Sequence, residues 1–265
     1  MALLESILFG IMQGLFEWLP ISSTGQLVLV MVEFFGYAID QARHLSIFLN
    51  FGTTLSAILY FRKDVKSILI NLVRYKPNYS ENNRLTSFLI TSTMISGGLG
   101  YLLYDLTYEF SFSGEILLGT IGVALIITGI VQKFSKQRGI KTEKNLNLMD
   151  SILLGVIQAF SAIPGLSRSG ITVSDLLFRG YQAKDSLRLS FLMSIPAILG
   201  AQVGIFAING IPNMEFSDLG IALVTSFVVG YLSINLLLKV ASKVKFWLFT
   251  IIIGSVALFS FFGLF

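Results

Sequence analysis

The stretch EWLPISSTG, residues 17–25, interrupts an apolar region with a carboxylate, a proline, three hydroxyl side chains and a glycine. No charged residue lies between Glu17 and Glu33. In a membrane interior, backbone groups find no water to bond, so a helix is broken there only where protein or a wet cavity surrounds the break. The stretch therefore predicts a helical hairpin whose turn lies at membrane depth.

The composition supports the membrane setting that this prediction needs. The chain has 265 residues, of which 54% are hydrophobic and only 13% charged, whereas soluble domains are about a quarter charged. Long apolar runs without alternation favour helices over a barrel, so we expect an all-α integral membrane protein. The absence of cysteine excludes disulfides, thiolate metal sites and thiol nucleophiles.

The chain contains an internal duplication. ESILFGIMQG at 5–14 matches DSILLGVIQA at 150–159, and LSIFL at 45–49 resembles LSFLM at 189–193. Apolar helices in general look alike, but that alternative does not explain the shared Gln, Ser and Gly positions. The sequence therefore predicts two structurally equivalent halves.

Each half begins with a hairpin that is too short to cross a membrane. Its first helix has about 14 residues, roughly 20 Å, against a bilayer core of about 30 Å, so the hairpin enters and leaves on one side. Three spanning lengths follow, and because three is odd, the second hairpin enters from the opposite face. The result is an inverted-topology repeat, common among transporters, with six transmembrane helices plus two re-entrant helical hairpins. The predicted segments are hairpin 5–36 and spans 44–61, 85–104 and 115–133 in repeat 1–134, a cytoplasmic basic linker 135–149, and hairpin 150–179 and spans 187–208, 218–238 and 246–264 in repeat 150–265.

The basic residues predict the orientation. All but two of the 19 Lys and Arg residues fall in loops on one side of this topology, the exceptions being Arg43 and Arg168. The positive-inside rule makes that side cytoplasmic. We therefore expect a multi-pass protein of the cell membrane with both termini outside. The same rule explains the net charge of +4, so the basic loops indicate topology and not nucleic-acid binding.

The two hairpin turns predict an anion site. Hydroxyl residues of the N-cap type follow each break, and helix N-termini present free N–H groups and a positive dipole end. Two such N-termini that meet near the midplane would bind an anion. The hydroxyl residues concerned are Ser22, Ser23 and Thr24 in the first turn and Ser167 and Ser169 in the second.

Arg168 and Glu17 are the charged residues of the two turns. A charge at membrane depth costs roughly 3 kcal/mol or more and is usually functional, and a guanidinium suits phosphate. Two alternatives stay open for Arg168, namely pairing with Glu17 solely to close the hairpins, or reaching the membrane surface. Glu17 could hold a divalent cation, act as a general base, or do no more than pair with Arg168.

Weaker candidates surround the turns. Gln13 lies one helical turn before Glu17 on the same face, where it serves either packing or function. Asn50 is a candidate cavity residue, and His44 is expected at the membrane interface. The glycines of the later spans, such as those at 97, 98, 122 and 129, predict close helix contacts. Within a bilayer, an arginine, hydroxyls, helix N-termini and one carboxylate favour a lipid-borne phosphate or diphosphate as the ligand.

Two motifs, QGLFEWLPISSTGQ at 13–26 and PGLSRSGIT at 164–172, resemble those of the undecaprenyl-diphosphatase family, also called bacitracin-resistance proteins. The likeness extends over essentially the whole chain. It implies removal of the terminal phosphate from a polyprenyl diphosphate, at a site open to the outer face, with a divalent cation such as Mg²⁺ or Ca²⁺. It also implies a metal-holding pair of Gln13 and Glu17, a hydroxyl turn of Ser22, Ser23 and Thr24, and a phosphate cradle of Ser167, Arg168, Ser169 and Thr172.

One position departs from the family pattern. The family's histidine is replaced by Gln26, which can hydrogen-bond a phosphate oxygen but cannot act as a general acid or base. The replacement puts in doubt any mechanism that needs an imidazole. It leaves Glu17 as the evident base, and it keeps open the alternative of a catalytically weak or inactive member of the family.

We therefore expect a membrane hydrolase that converts a polyprenyl diphosphate of the undecaprenyl type to the monophosphate carrier lipid. The predicted catalytic residues are Glu17, Ser23 and Arg168, with either Ser23 or a water as the nucleophile. The predicted substrate contacts are Ser22, Thr24, Gln26, Ser167, Ser169 and Thr172. The alternative is a transporter or flippase for a phosphate-headed lipid on the same scaffold, which a phosphate-release assay in detergent would distinguish. Assembly as a homodimer is left open.

Overall fold

The computed structural model describes residues 2–73, 75–76, 79–81, 83–109, 114–135, 139–163, 165–240 and 246–261. Over these residues the chain forms α-helices joined by short connections, so the predicted all-α class is confirmed for the described part. The helices are α1 (Leu3–Phe16), α2 (Ser23–Phe35), α3 (Ile39–Tyr60), α4 (Arg62–Val73), α5 (Arg84–Glu109), α6 (Gly114–Phe134), α7 (Leu148–Ala159), α8 (Arg168–Phe178), α9 (Ala183–Asn209), α10 (Phe216–Val240) and α11 (Phe246–Phe261).

Three helices in the described part of the chain are long and apolar enough to cross a membrane by themselves. They are α5, α9 and α10, over Arg84–Tyr104, Ala183–Asn209 and Phe216–Lys239. α3 and α4 pass the same test only as a pair, bent by 84°. The chain thus has the apolar helices of a multi-pass membrane protein, while the count of six spans and two re-entrant hairpins stays a prediction.

α4 lies in a stretch that the sequence pattern assigns to a loop. None of its residues is buried, and its apolar side chains Leu69, Ile70 and Val73 are exposed on a helix that begins with Arg62 and Lys63. Short amphipathic helices that meet a membrane span at nearly a right angle typically lie along the membrane surface.

The helix pairs α1–α2 and α7–α8 have their open sides at opposite ends of the bundle. α1 and α2 open toward one end, where Tyr37 Oη donates a hydrogen bond of 2.8 Å to Glu5. α7 and α8 open toward the other end, where Arg179 Nε donates a hydrogen bond of 2.7 Å to Asp150. We call these the acidic end, defined by Glu5, Asp40 and Asp218, and the basic end, defined by Lys141, Arg179 and Arg188.

Helix contacts correspond between the two halves of the chain. α1 packs against α10, and α7, which occupies the place of α1 in the second half, packs against α5. α6 packs against α11, the last helix of the second half. Such exchanged contacts are what two duplicated halves related by a twofold axis would make.

Glycines allow the closest of these helix contacts. A Cβ added at Gly122 of α6 would lie 2.9 Å from the carbonyl oxygen of Gly254 on α11, and Gly129 lies similarly close to α11. The close contacts predicted for Gly122 and Gly129 are therefore confirmed. Those predicted for Gly97 and Gly98 are wrong, because no atom lies within 4 Å of a Cβ placed on either residue.

Ion pairs and hydrogen bonds hold the basic end together. Arg188 at the start of α9 donates 2.6 Å to Asp64 of α4 and also bonds Glu143. Tyr181 Oη donates 2.8 Å to Asp150 of α7, and burial together with this hydrogen bond raises the pKa of Tyr181. These contacts connect α4, α7 and α9 at the end from which the second hairpin enters.

We predict that Gly165→Ala lowers the free energy of unfolding by about 2 kcal/mol or more. Gly165 has a φ of +92°, and its added Cβ would lie 2.6 Å from Ile121 Cα, so alanine strains both the turn and α6. Unfolding in detergent measures the loss. Gly180→Ala is the control, since φ there is +84° with no atom nearby, and only the backbone strain of about 1 kcal/mol remains. Equal losses in the two variants would contradict the prediction.

Candidate active site

A buried ion pair joins the tips of the two hairpins. Glu17 ends α1, and Arg168 begins α8. Arg168 Nη2 lies 2.7 Å from Glu17 Oε1, with side chains only 10% and 7% exposed. Arg168 Nη1 also donates to the backbone oxygen of Ser190 at 3.3 Å. Of the two alternatives for Arg168, the structure therefore shows the pairing with Glu17. The side chain is buried and does not reach the bundle surface.

The second oxygen of Glu17 binds two neutral donors. Ser23 Oγ donates to Glu17 Oε2 at 2.6 Å, and Gln13 Nε2 donates to the same atom at 3.0 Å. Gln13 Nε2 also bonds the side-chain oxygen of Asn50. Glu17 thus holds a guanidinium, a hydroxyl and an amide at one carboxylate, where a charge would otherwise be costly to bury.

The first turn carries an unusual backbone conformation. Ser22 has φ +61° and ψ +84° and is, among the described residues, the non-glycine residue with a positive φ. It precedes α2 without making a side-chain cap, so its hydroxyl is left to the cavity that it lines. Strain of this kind, typically about 1–3 kcal/mol, occurs where function requires a fixed geometry. Here it sets Ser23 as the first residue of α2.

The second turn uses its hydroxyls to brace the tip. Ser167 is the N-cap of α8 and accepts a hydrogen bond of 3.1 Å from the Gly170 amide. Ser169 Oγ donates 2.9 Å to the carbonyl oxygen of Leu19 in the first hairpin. Both also line the cavity. The two N-termini therefore meet as predicted, with Ser169 and the ion pair holding them together.

Two predicted substrate contacts lie outside the cavity wall. Thr172 is fully buried and bonds the Arg168 carbonyl and the Ser190 hydroxyl, each at 2.7 Å. Gln26 is also buried, and its Nε2 donates to the Ile21 carbonyl at 3.3 Å. The Thr172 hydroxyl and the Gln26 Nε2 group thus bond protein groups behind the tips, which differs from the phosphate contact that the motifs suggest.

A cavity of about 700 Å³ extends from the tips toward the acidic end. Its lining includes Glu17, Ser22, Ser23, Thr24, Ser167, Arg168 and Ser169. Asn50 lines it as predicted, whereas His44 lies outside it and bonds Gly210 at the acidic end. At the acidic end of the cavity, which we call its mouth, the Arg43 guanidinium lies 5.4 Å from the centre of the Tyr104 ring.

Arg43 is a cavity residue that lies outside the two motifs, although its spacing from Asn50 carries a signal. Arg43 and Asn50 are seven residues apart on α3, which is two helical turns on one face, and both line the cavity. Two turns correspond to about 10 Å. Arg43 is thus a second cation in the same cavity, nearer the mouth than Asn50.

The side-chain oxygens near Gln13 are of the kind that hard divalent cations bind. Gln13 Oε1 is buried and has no hydrogen-bond partner among the described residues, whereas the Glu17 and Asn50 oxygens accept hydrogen bonds from Gln13 Nε2. Gln13 itself is not among the residues that line the cavity. Mg²⁺ is commonly held by one or two carboxylates together with substrate phosphates. Within the described residues no cluster of three or more His, Cys, Asp or Glu occurs, so a cation here would need phosphate oxygens as further ligands.

Comparison with known proteins agrees with the motifs. The family profile described as bacitracin resistance protein BacA matches residues 6–259. An undecaprenyl-diphosphatase of Methanococcoides burtonii is 43% identical over 99% of each chain. Those of Haloarcula marismortui and Sulfurisphaera tokodaii are 36% and 33% identical, over 95% and 97% of this chain and 94% and 97% of theirs. The family resemblance predicted from the two motifs is therefore confirmed.

We predict that Arg168→Met destabilises the protein more than the double variant Glu17→Gln/Arg168→Met. Removing one partner leaves a buried charge uncompensated, at a cost of about 3–5 kcal/mol, whereas removing both leaves none. Unfolding in detergent measures the coupling. The control is Asp64→Asn, whose side chain is 29% exposed in its pair with Arg188, and which should cost about 1 kcal/mol or less. Additive effects of the two site substitutions would refute the expected coupling.

Proposed function

Since this chain belongs to the bacitracin resistance protein BacA family, we propose that it removes the terminal phosphate from a polyprenyl diphosphate of the undecaprenyl type. The product is the monophosphate carrier lipid. The observation that carries the proposal is the contact of Glu17 with both Ser23 and Arg168 in one cavity. A carboxylate, a hydroxyl and a guanidinium held together in this way are the groups that phosphoryl transfer requires.

Arg168 and the helix N-termini provide the binding site for the diphosphate. The planar guanidinium can contact two phosphate oxygens at once, and the N–H groups at the start of α2 and α8 add a positive potential. These groups surround the position at which charge develops on the transferred phosphoryl group. Because they are fixed by the hairpin contacts before substrate binds, little reorganisation is needed during the reaction.

Ser23 is the candidate nucleophile, with Glu17 as its base. The bond of 2.6 Å between Ser23 Oγ and Glu17 Oε2 is within the range expected for a nucleophile and the base that accepts its proton. Glu17 is also the carboxylate among the described residues that line the cavity. Gln26 cannot act as an acid or a base, so Glu17 is the candidate general base. The competing nucleophile is a water oriented by the same carboxylate.

A divalent cation would be held by Gln13 and Glu17, with Asn50 nearby. Bound there, Mg²⁺ or Ca²⁺ would neutralise negative charge on the diphosphate. The unpartnered Oε1 of Gln13 supports this assignment, because a buried carbonyl oxygen without a partner is costly. Glu17 Oε2 would then orient Ser23. The cation and Arg168 would together balance the negative charge of Glu17 and the diphosphate.

We further propose six spans and two re-entrant hairpins in an inverted repeat, within the cell membrane. The entry of the hairpins from opposite ends and the exchanged helix contacts support this topology. The positive-inside rule then puts the basic end in the cytoplasm and both termini outside. The cavity mouth near Arg43 would face the outer side, where a lipid diphosphate would be dephosphorylated.

A transporter is the second candidate, because hairpins that meet inside an inverted repeat are also transporter architecture. Phosphate release from a polyprenyl diphosphate in detergent separates the two, since detergent leaves no two sides to move between. Release supports hydrolysis. No release, together with movement of the lipid across vesicle membranes, supports transport instead.

We predict that Arg168→Ala and Glu17→Gln each lower kcat/KM for phosphate release by about 10²–10³. The first loses the phosphate-binding cation, and the second loses the base while keeping the shape of the side chain. The control Lys63→Gln removes an exposed cation from the basic end and should leave the rate unchanged. Full turnover by either site variant would refute the proposed site.

We predict that Ser23→Ala lowers kcat by about 10³ or more, and that acid quenching of the unaltered enzyme traps a phosphoserine at Ser23. The control is Ser92→Ala, because Ser92 is a buried serine that bonds its own helix at Phe88 outside the cavity. A Ser23→Ala variant with nearly normal turnover would assign the nucleophile to water.

A further inference from the structure

The cavity is larger than a diphosphate headgroup needs. A diphosphate has nine non-hydrogen atoms, which at the packing density of protein interiors occupy roughly 200 Å³. The cavity has about 700 Å³. The surplus lies beside a wall that is mostly apolar and rich in small residues, with Ile198, Ile205 and Ile208 on α9. The cavity therefore has space for an apolar part of its ligand.

The first half of the chain closes the equivalent space by packing α3 on α10. A Cβ added at Gly52 of α3 would lie 2.6 Å from the backbone oxygen of Leu223 on α10. One turn later, Ser56 Oγ lies 2.9 Å from a Cβ placed on Gly230. After another turn, the Tyr60 ring packs against that of Tyr231, with centres 5.8 Å apart. These contacts leave no gap between the two helices.

The second half has small residues and a proline at the same three places. The match of 45–49 with 189–193 continues along the helices, so that Gly52, Ser56 and Tyr60 correspond to positions 196, 200 and 204. These are Pro196, Gly200 and Gly204, and all three line the cavity. No atom lies within 4 Å of a Cβ placed on either glycine. The helix contact that α3 makes with α10 in the first half is therefore missing at the corresponding positions of α9.

The opening widens from the basic end toward the cavity. Near the basic end, Phe88 of α5 and Leu192 of α9 belong to one buried core. After Pro196, which removes a backbone hydrogen bond and typically bends a helix, α9 becomes exposed at Gly200 and Gly204. Opposite, Gly97 of α5 lines the cavity and is also exposed. Exposed glycines on both α5 and α9 thus leave this part of the cavity wall uncovered by neighbouring side chains.

Two buried amides mark the polar part of the same cavity. Gln158 and Gln202 line it and are 3% and 2% exposed. Their Oε1 atoms have no hydrogen-bond partner in the described part of the chain, although each Nε2 is bonded, to Ser96 and to the Ile47 carbonyl. A buried acceptor of this kind needs a donor from the cavity contents. The wall of the cavity therefore combines buried amide acceptors with an apolar side.

We propose that the gap lined by Gly97, Gly200 and Gly204 is the subsite for the isoprenoid chain of the substrate. The headgroup binds at the hairpin tips, and the chain leaves the cavity sideways between α5 and α9 into the lipid. Glycine at these positions leaves room for the branched chain, which a larger side chain would occupy. This inference rests on the proposed function, because it places the tail of the substrate whose headgroup is hydrolysed.

The test compares a 55-carbon with a 5-carbon prenyl diphosphate, whose single isoprene unit is too short to reach the gap. Gly97→Leu and Gly204→Leu should each lower kcat/KM for undecaprenyl diphosphate about tenfold or more, with less than about a twofold change for dimethylallyl diphosphate. The matched control is Gly98→Leu, because Gly98 is equally exposed on the same helix but does not line the cavity. That control should affect neither substrate.

The same comparison is made by equilibrium binding of undecaprenyl and dimethylallyl monophosphates, which does not depend on hydrolysis. A loss that is selective for the long chain supports the subsite. Equal effects on both chain lengths, or no effect on either, overturn it. If the unaltered protein binds both lipids but releases no phosphate from either diphosphate, the proposed function fails while the binding data still decide on the subsite.

Discussion

One carboxylate, that of Glu17, determines how the two hairpins meet. It lies where two helices are interrupted inside an apolar bundle, and each of its oxygens is engaged, one by Arg168 and the other by Ser23 and Gln13. A lone charge at that depth would be costly, and so would the free backbone groups of the turns. The ion pair neutralises both charges. The hydroxyl and amide side chains of the tips form hydrogen bonds with the remaining polar groups there. The helix breaks are stable because they face each other.

The sequence was sufficient to predict where the helices at the two hairpin tips begin, because the N-cap residues next to those positions determine it. α2 and α8 begin at Ser23 and Arg168, next to the N-cap residues that the hydroxyl pattern indicates, and the duplication indicates that the tips face each other. Side-chain direction was not predictable in the same way. Gln26 and Thr172 stand in the motifs yet bond the backbone behind the tips, because their place on the helix turns them away from the cavity. Motif membership carries no information on that rotation.

Residues outside the motifs were harder to predict. Arg43 reaches the cavity because α3 spans the distance between the mouth and the tips, which becomes clear only when the helices are assembled. The glycines are a similar case, since Gly122 and Gly97 look alike in sequence. Gly122 packs against α11, whereas Gly97 faces open space. A glycine permits close approach, but whether a neighbour approaches depends on the crossing of whole helices. The bend between α3 and α4 is likewise absent from any hydrophobic pattern.

The duplicated halves have diverged in a way that the electrostatics of the site require. At equivalent helix starts, the first half has Ser23 and the second has Arg168, and Gln158 is followed four residues later by Ala162 where Gln13 is followed by Glu17. A strictly symmetric site would bring two guanidiniums or two carboxylates together at one buried point, and like charges there repel strongly at low dielectric. Dividing the carboxylate and the guanidinium between the two halves of the chain gives a neutral pair at the tips. The two halves also differ in packing, because α3 contacts α10 closely at Gly52 whereas no atom lies near a Cβ placed on Gly200 or Gly204 of α9; the proposed chain subsite uses that difference.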